Sequence, residues 1–153
     1  MPTASFKVLF VFIILAHERR CSVHCNITEH PTAQWTSQQI VEAFPWETAP
    51  RYLLRERDAI YSVAFQHRVQ NMGIDEVKIA PRSPWQNPYC ERLIGSIRRE
   101  VLDHVLVLND RHLKRLLTAY SAYYHRFRTH LALAMDCPHP RAVQPPETGG
   151  VIA

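Results

Sequence analysis

The chain has 153 residues, with 18 Lys and Arg against 14 Asp and Glu, and a formal charge of +4. That length suits one domain with a real core. Four cysteines without framework spacing argue against a disulfide scaffold and read as reduced, cytoplasmic thiols.

The first half opens on the apolar run Phe6–His17, FKVLFVFIILAH, rich in Val, Ile and Phe. It reads as a strand buried on both faces. A secretion signal is the rival reading, with Lys7 ahead of the apolar stretch Val8–Ala16, but the following His-Glu-Arg-Arg is a poor cleavage context. The run is too short for a transmembrane helix. Arg20–Ile27 alternates, with Cys21, Val23, Cys25 and Ile27 on one face, and reads as the hairpin partner. Thr32–Phe44 reads as a helix stopped by Pro45.

Alternation continues downstream. Arg51–Arg57 reads as a strand, and Ser62–Met72 as a helix ended by Gly73. Glu76–Ala80 reads as a short strand. A helix follows from Asn87 and Pro88 to about Asp103. Another starts near Asn109 or Asp110, with Leu113, Leu116, Leu117, Tyr120, Tyr124 and Phe127 as its buried stripe. Pro138, Pro140, Pro145 and Pro146 then mark a tail, 136–153, that cannot be helical or pair as an inner strand and is expected to be disordered. A hairpin followed by alternating strands and helices implies an α/β domain, a mixed sheet flanked by helices.

The stretch Pro81–Glu100, PRSPWQNPYCERLIGSIRRE, carries the most chemistry. Asn87 is a good N-cap and Pro88 falls at the first helical position, where its missing N–H is harmless. Glu91 then sits in the first turn, where the helix dipole favours negative charge. Arg98 lies seven residues on, near the same face. Leu93, Ile94, Ile97 and Val101 form the opposing apolar stripe. A well-capped surface helix explains all of this without any chemistry. Charge placement adds a hint: residues 1–91 hold nine basic and nine acidic side chains, residues 92–153 nine and five. A basic half is what a polyanion partner needs, although a solvated face has the same composition.

Pro81–Glu100 resembles the end of the catalytic core of DDE transposases and retroviral-type integrases. There, a loop rich in Pro, Gln and Asn leads into a helix bearing the last catalytic carboxylate. Pro50–Tyr61, PRYLLRERDAIY, resembles the family's strand with the second carboxylate. Ala119–Leu131, AYSAYYHRFRTHL, resembles its closing helix and the Arg-Thr-His turn. The similarity runs over about residues 5–146, with the core domain over 5–135. It implies a ribonuclease H-like fold and DNA integration or transposition through metal-dependent phosphodiester cleavage and strand transfer. Hard cations, Mg²⁺ or Mn²⁺, want carboxylate oxygens, and two of them can hold the attacking and leaving oxygens of a phosphodiester.

Carried over residue by residue, Glu91 matches the third carboxylate. Counting back five residues from the aromatic Tyr61 puts Glu56 at the second, with 34 residues between it and Glu91. Asp58, separated from Glu91 by 32, is the alternative metal ligand on the same strand face. Glutamate for aspartate adds a methylene to a cage that tolerates misplacement of only about half an ångström. The family's first carboxylate sits on a strand before the long apolar one. No aspartate precedes Asp58 here, so that central strand is expected to be missing and the copy truncated and catalytically impaired. A non-catalytic remnant that binds DNA or interferes with intact transposase is the alternative.

The expected DNA contacts are Arg92, Arg98 and Arg99 beside the site, Trp85, Gln86 and Asn87 from the loop, and Arg126 and Arg128 beyond. Such contacts position rather than read sequence. The implied partners are transposon-end and target DNA, a second copy or intact transposase, and no membrane; the implied place is the bacterial-type cytoplasm, on the nucleoid. Cys21, His24 and Cys25 do not make a zinc site, because the two cysteines stand about 13 Å apart on a strand. Cys90, in the first turn of the Glu91 helix, has no base to pair with.

Overall fold

The computed structural model describes residues 3–4, 6–45 and 48–142. Strand β1 (Phe10–Leu15) pairs antiparallel with β2 (Ser22–Thr28), Phe10 opposite Thr28, with a register shift between Ile14 and Leu15. Helix α1 (Ala33–Ala43) follows; Thr32 caps it by accepting the Trp35 N–H at 3.2 Å. Strand β3 (Tyr52–Arg55) then runs through α2 (Val63–Asn71) into a parallel partner, β4 (Asp75–Lys78). Gly73 leaves α2 at φ 73°, the left-handed conformation a side chain resists, and so delivers the buried Ile74 to the core. Helices α3 (Pro88–Glu100) and α4 (Asp110–Arg126) complete the order, and Asn109 caps α4 through the His112 N–H at 2.9 Å.

Strand periodicity explains the layers. On β1, Val11, Ile13 and Leu15 point one way, into a cluster with Leu93, Ile97, Val107, Leu113, Leu117, Tyr120 and Tyr124 from the α3–α4 side. Phe12 and Ile14 point the other way, against Ile40, Phe44, Phe65, Val69 and Ile74 from the α1–α2 side. Side chains that alternate across a strand bury both faces only when helices cover both. Phe65, Val69 and Leu113 are wholly buried, and burial of such a side chain contributes roughly 1.5–3 kcal/mol.

Several elements differ from the sequence reading. The two strand pairs form separate two-stranded ladders rather than one continuous mixed sheet, and no described strand bridges β1 to β3. Strand β3 ends at Arg55, not Arg57, so Glu56 and Asp58 lie beyond it and share no strand face. Asp58 instead starts a turn: its carboxylate accepts the Ile60 N–H at 3.0 Å and its carbonyl the Tyr61 N–H at 3.1 Å. Asn87 occupies the N-cap of α3 but makes no side-chain capping bond. Ile94 is 47% exposed and Phe127, at the α4 C-cap, 64% exposed, because the core-facing arcs of their helices are filled by Leu93, Ile97, Tyr120 and Tyr124.

The start of the Pro-rich tail is packed. His130 and Asp136 form a β-bridge, and Arg19 donates to the Pro138 carbonyl at 2.7 Å, the Cys137 carbonyl at 2.9 Å and the Asp136 carboxylate at 2.8 Å. Cys137 is fully buried. Pro145 and Pro146 lie outside the described residues. No described helix is long and apolar enough to cross a membrane.

Candidate functional site

Beyond β3 the chain opens into a cleft of about 330 Å³, lined by Glu56, Arg57 and Asp58 on one side and by 79–84 on the other. Buried chemistry fixes its floor. Arg55 donates to Glu76 of β4 at 2.7 Å, reaches the Glu56 carbonyl at 2.9 Å, and lies 4.8 Å from the centre of the Tyr61 ring. Arg57 donates to the Ile79 carbonyl at 3.1 Å. Opposite, Gln86 closes the loop by accepting the Ala80 N–H at 2.7 Å. Glu56, Asp58 and Glu91 are all exposed, so their carboxylates face solvent rather than the core.

Two half-buried groups register the carboxylates. Burial pushes the Cys90 thiol up to about 11, helped by Glu91 beside it and by Glu56. Burial likewise pushes Tyr61 up to about 12; Glu56 and Asp58 add to this and Arg55 opposes it. Glu56 thus acts on the first turn of α3, the turn that carries Glu91. Among the described residues, however, no three His, Cys, Asp or Glu side chains gather to hold a metal ion. A pair of hard cations needs carboxylates from several elements converging on one space. The donors present do not fit that requirement.

The basic and aromatic side chains expected to meet DNA differ in exposure. Trp85 projects from the loop at 70% exposure. Gln86 is exposed but engaged with Ala80, and Asn87 is half-buried. Arg92, Arg98 and Arg99 are exposed along α3, and Arg126 is exposed at the end of α4. Arg98 lies 3.7 Å from Asp103. Arg128 is committed inward: it pairs with Glu100 at 2.7 Å and donates to Ser96 at 3.3 Å, while Tyr120 donates to the same carboxylate at 2.8 Å. Arg128 holds the Glu100 carboxyl below its ordinary range, with further help from Tyr120.

Residues 72–138 match the family model described as the integrase core domain. That span, less than half of the chain, is similar to an integrase core. It takes in β4, α3 and α4, and so includes Glu91, while Glu56 and Asp58 lie before it. The fold over the whole chain is similar to that of a chain in the cryo-EM structure of the simian T-cell lymphotropic virus intasome in complex with PP2A regulatory subunit B56 gamma. The TM-score is 0.70 at 14% identity, covering 100% of this chain and 56% of that one. The chain described here therefore spans little more than half the length of this structural neighbour. None of the curated proteins matches it.

The sequence reading missed Arg55 and Arg20. Arg55 appeared only as one charge in Arg-Glu-Arg-Asp, and nothing local signals that Glu76, on the parallel strand, will bury it. The sequence reading opens the second hairpin strand at Arg20, whose burial against Tyr89 of α3 depends on a contact across the fold.

Proposed function

We propose that this chain is a DNA-integration module that docks on DNA but does not by itself cleave it. The observation that carries the reading is the cleft that Glu56 and Asp58 line, where no three candidate metal ligands gather among the described residues. Glu91 takes the place of the last carboxylate of an integrase core and Glu56 that of the second, with Asp58 held back by its turn. The unbridged ladders of β1–β2 and β3–β4 support a further point. An additional strand between them would join the two ladders into one sheet. Such a strand, carrying a carboxylate and supplied from outside these residues or by a partner, would complete both the sheet and the Mg²⁺ or Mn²⁺ site.

Arg92, Arg98, Arg99, Arg126 and Trp85 are the surface that meets the phosphate backbone of transposon-end or target DNA. A second copy or an intact transposase is the protein partner. The purified chain is expected to bind duplex DNA with strong salt dependence and to leave supercoiled plasmid intact in Mn²⁺. Nicking that disappears in both Glu91→Gln and Glu56→Gln would overturn the non-cleaving assignment. Absence of duplex binding at low salt would overturn the module itself.

A further inference from the structure

Three pieces of the fold meet around the His125 ring near the end of α4. The turn between β1 and β2 is closed by the Ala16 N–H on the Cys21 carbonyl at 2.8 Å, and it delivers the Ser22 N–H to His125 Nε2 at 2.9 Å. The segment after α4 lays the His139 ring on the His125 ring, with centroids 4.8 Å apart and planes 22° from parallel. The His139 N–H also donates to the His125 carbonyl at 2.8 Å. Cys137, wholly buried, donates its thiol to the His139 carbonyl at 2.8 Å. Arg19 grips the same segment from the hairpin side.

A backbone N–H can only donate, so the atom it meets must offer a lone pair. His125 is therefore neutral here, with its proton on Nδ1. A second proton would set an N–H against the Ser22 N–H, leaving two donors face to face. It would also lay a cation on the His139 ring, and like charges so close disfavour each other. Burial, and then His139, lower the proton affinity of His125. The other charged groups nearby are engaged or turned away. On the hairpin side Arg19 pairs with Asp136 at 2.8 Å, Glu18 is exposed, and burial raises the Cys21 thiol. On α4, Tyr124 meets the ring edge-on at 5.8 Å and Arg126 is exposed. On the segment, Arg141 lies 3.7 Å from Asp136. Among the described residues no carboxylate pairs with His125, so nothing at hand offsets its charge.

We propose that Ser22, His125 and His139 form an acid-sensitive clasp: it is shut while His125 is neutral, and one proton opens it, freeing 136–139 from the hairpin while the core stays folded. Only the imidazole acceptor and the stacked pair change on protonation; the grip of Arg19 on backbone carbonyls does not titrate. The opening is therefore local. It uncovers Cys137, which the closed segment buries completely. The inference is independent of DNA docking, because none of its groups belongs to the carboxylate cleft or to α3.

In the full chain, NMR of the ring nitrogens is expected to find His125 as the Nδ1–H tautomer at neutral pH. Below the ordinary histidine value of about 6.5, opening is expected to grow about tenfold per pH unit until the lower folded value is reached. Amide exchange at Ser22 and His139, corrected for its intrinsic pH dependence, reads that growth. Labelling of Cys137 by a pyridyl disulfide, which still reacts with thiols in mild acid, reads it independently. Cys25, packed against the core, reports global unfolding. His125→Gln keeps an acceptor that cannot titrate, so Cys137 is expected to stay covered through the same range. His139→Gln removes the neighbouring charge, so opening is expected to begin at higher pH; His139 is exposed, and its variant reads out even where His125→Gln fails to fold. An Nε2–H tautomer at neutral pH, Cys137 labelling that stays flat on acidification, or release of Cys137 only together with Cys25 overturns the clasp. An acid response unmoved in His139→Gln overturns it too, by assigning the proton to another group.

Discussion

Arg55 and Glu76 face each other across parallel strands at 2.7 Å, with side chains only 5% and 8% exposed. Lys78 stands 3.9 Å from the same carboxylate. The pair sits directly under Glu56, whose carbonyl Arg55 also holds. Removing one partner of a buried pair strands the other charge and typically costs about 3–5 kcal/mol, whereas replacing both with apolar groups is often neutral. Glu76→Gln is therefore expected to lower unfolding free energy by that amount in urea titrations. Arg55→Met with Glu76→Leu is expected to recover most of it, yet to release the Glu56 carbonyl. Equal destabilisation by the single and double changes would show that packing, not charge, holds this place.

Acid sensitivity should begin in the histidine range. Burial lowers His130, reinforced by Arg128, Arg20 and Arg92, and burial followed by His139 lowers His125. A group whose folded value is depressed binds fewer protons when folded than when unfolded, so stability rises with pH through that window. The contribution is complete above the ordinary histidine value of about 6.5 and is lost as pH falls through the folded values. Thermal midpoints are expected to decline on acidification just below that point. His130→Gln should remove part of the slope, and a slope that survives unchanged assigns the effect elsewhere. The depressed carboxyls of Glu100 and Asp136 titrate at lower pH and add a later, separate loss.

Arg98 and Arg99 occupy the last turn of α3, both exposed. The 3.7 Å approach of Arg98 to Asp103 is a surface pair, worth roughly 0–1 kcal/mol, so its loss should leave the fold standing. Arg98→Ala with Arg99→Ala is expected to reduce the log–log salt slope of duplex binding by about two, since each phosphate contact contributes about 0.9. Anisotropy at a series of salt concentrations measures this directly, and an unaltered slope takes both residues out of the interface.

Local pattern carried the sequence reading furthest where one element decides the outcome. The apolar run around Ile13 announced a strand covered on both sides, and Pro88 with Glu91 announced the opening of α3. It went astray where distant residues decide. Strand β3 stops at Arg55 because Arg57 turns to the Ile79 carbonyl and Asp58 folds into its own turn. Arg128 is drawn from the surface by Glu100, 28 positions back. Cys137 and Pro138 are pinned by Arg19, more than a hundred residues earlier, so proline content alone misjudged the start of the tail. Glu56 was reachable only by counting from Tyr61, and its influence on Cys90 depends on how β3 and α3 meet.

The raised thiol of Cys90 gives the protein an internal gauge of potential. Thiolates, not thiols, react with alkylating reagents, so at neutral pH this cysteine is nearly silent. Any positive charge drawn toward Glu56 and Glu91 would ease its ionisation and quicken its labelling. Cys25, likewise raised to about 11 by burial but with only Lys114 acting on it besides, sits outside that influence and provides the reference rate. The ratio of the two labelling rates reads the state of the acidic cleft without a substrate, a fluorophore or an engineered probe.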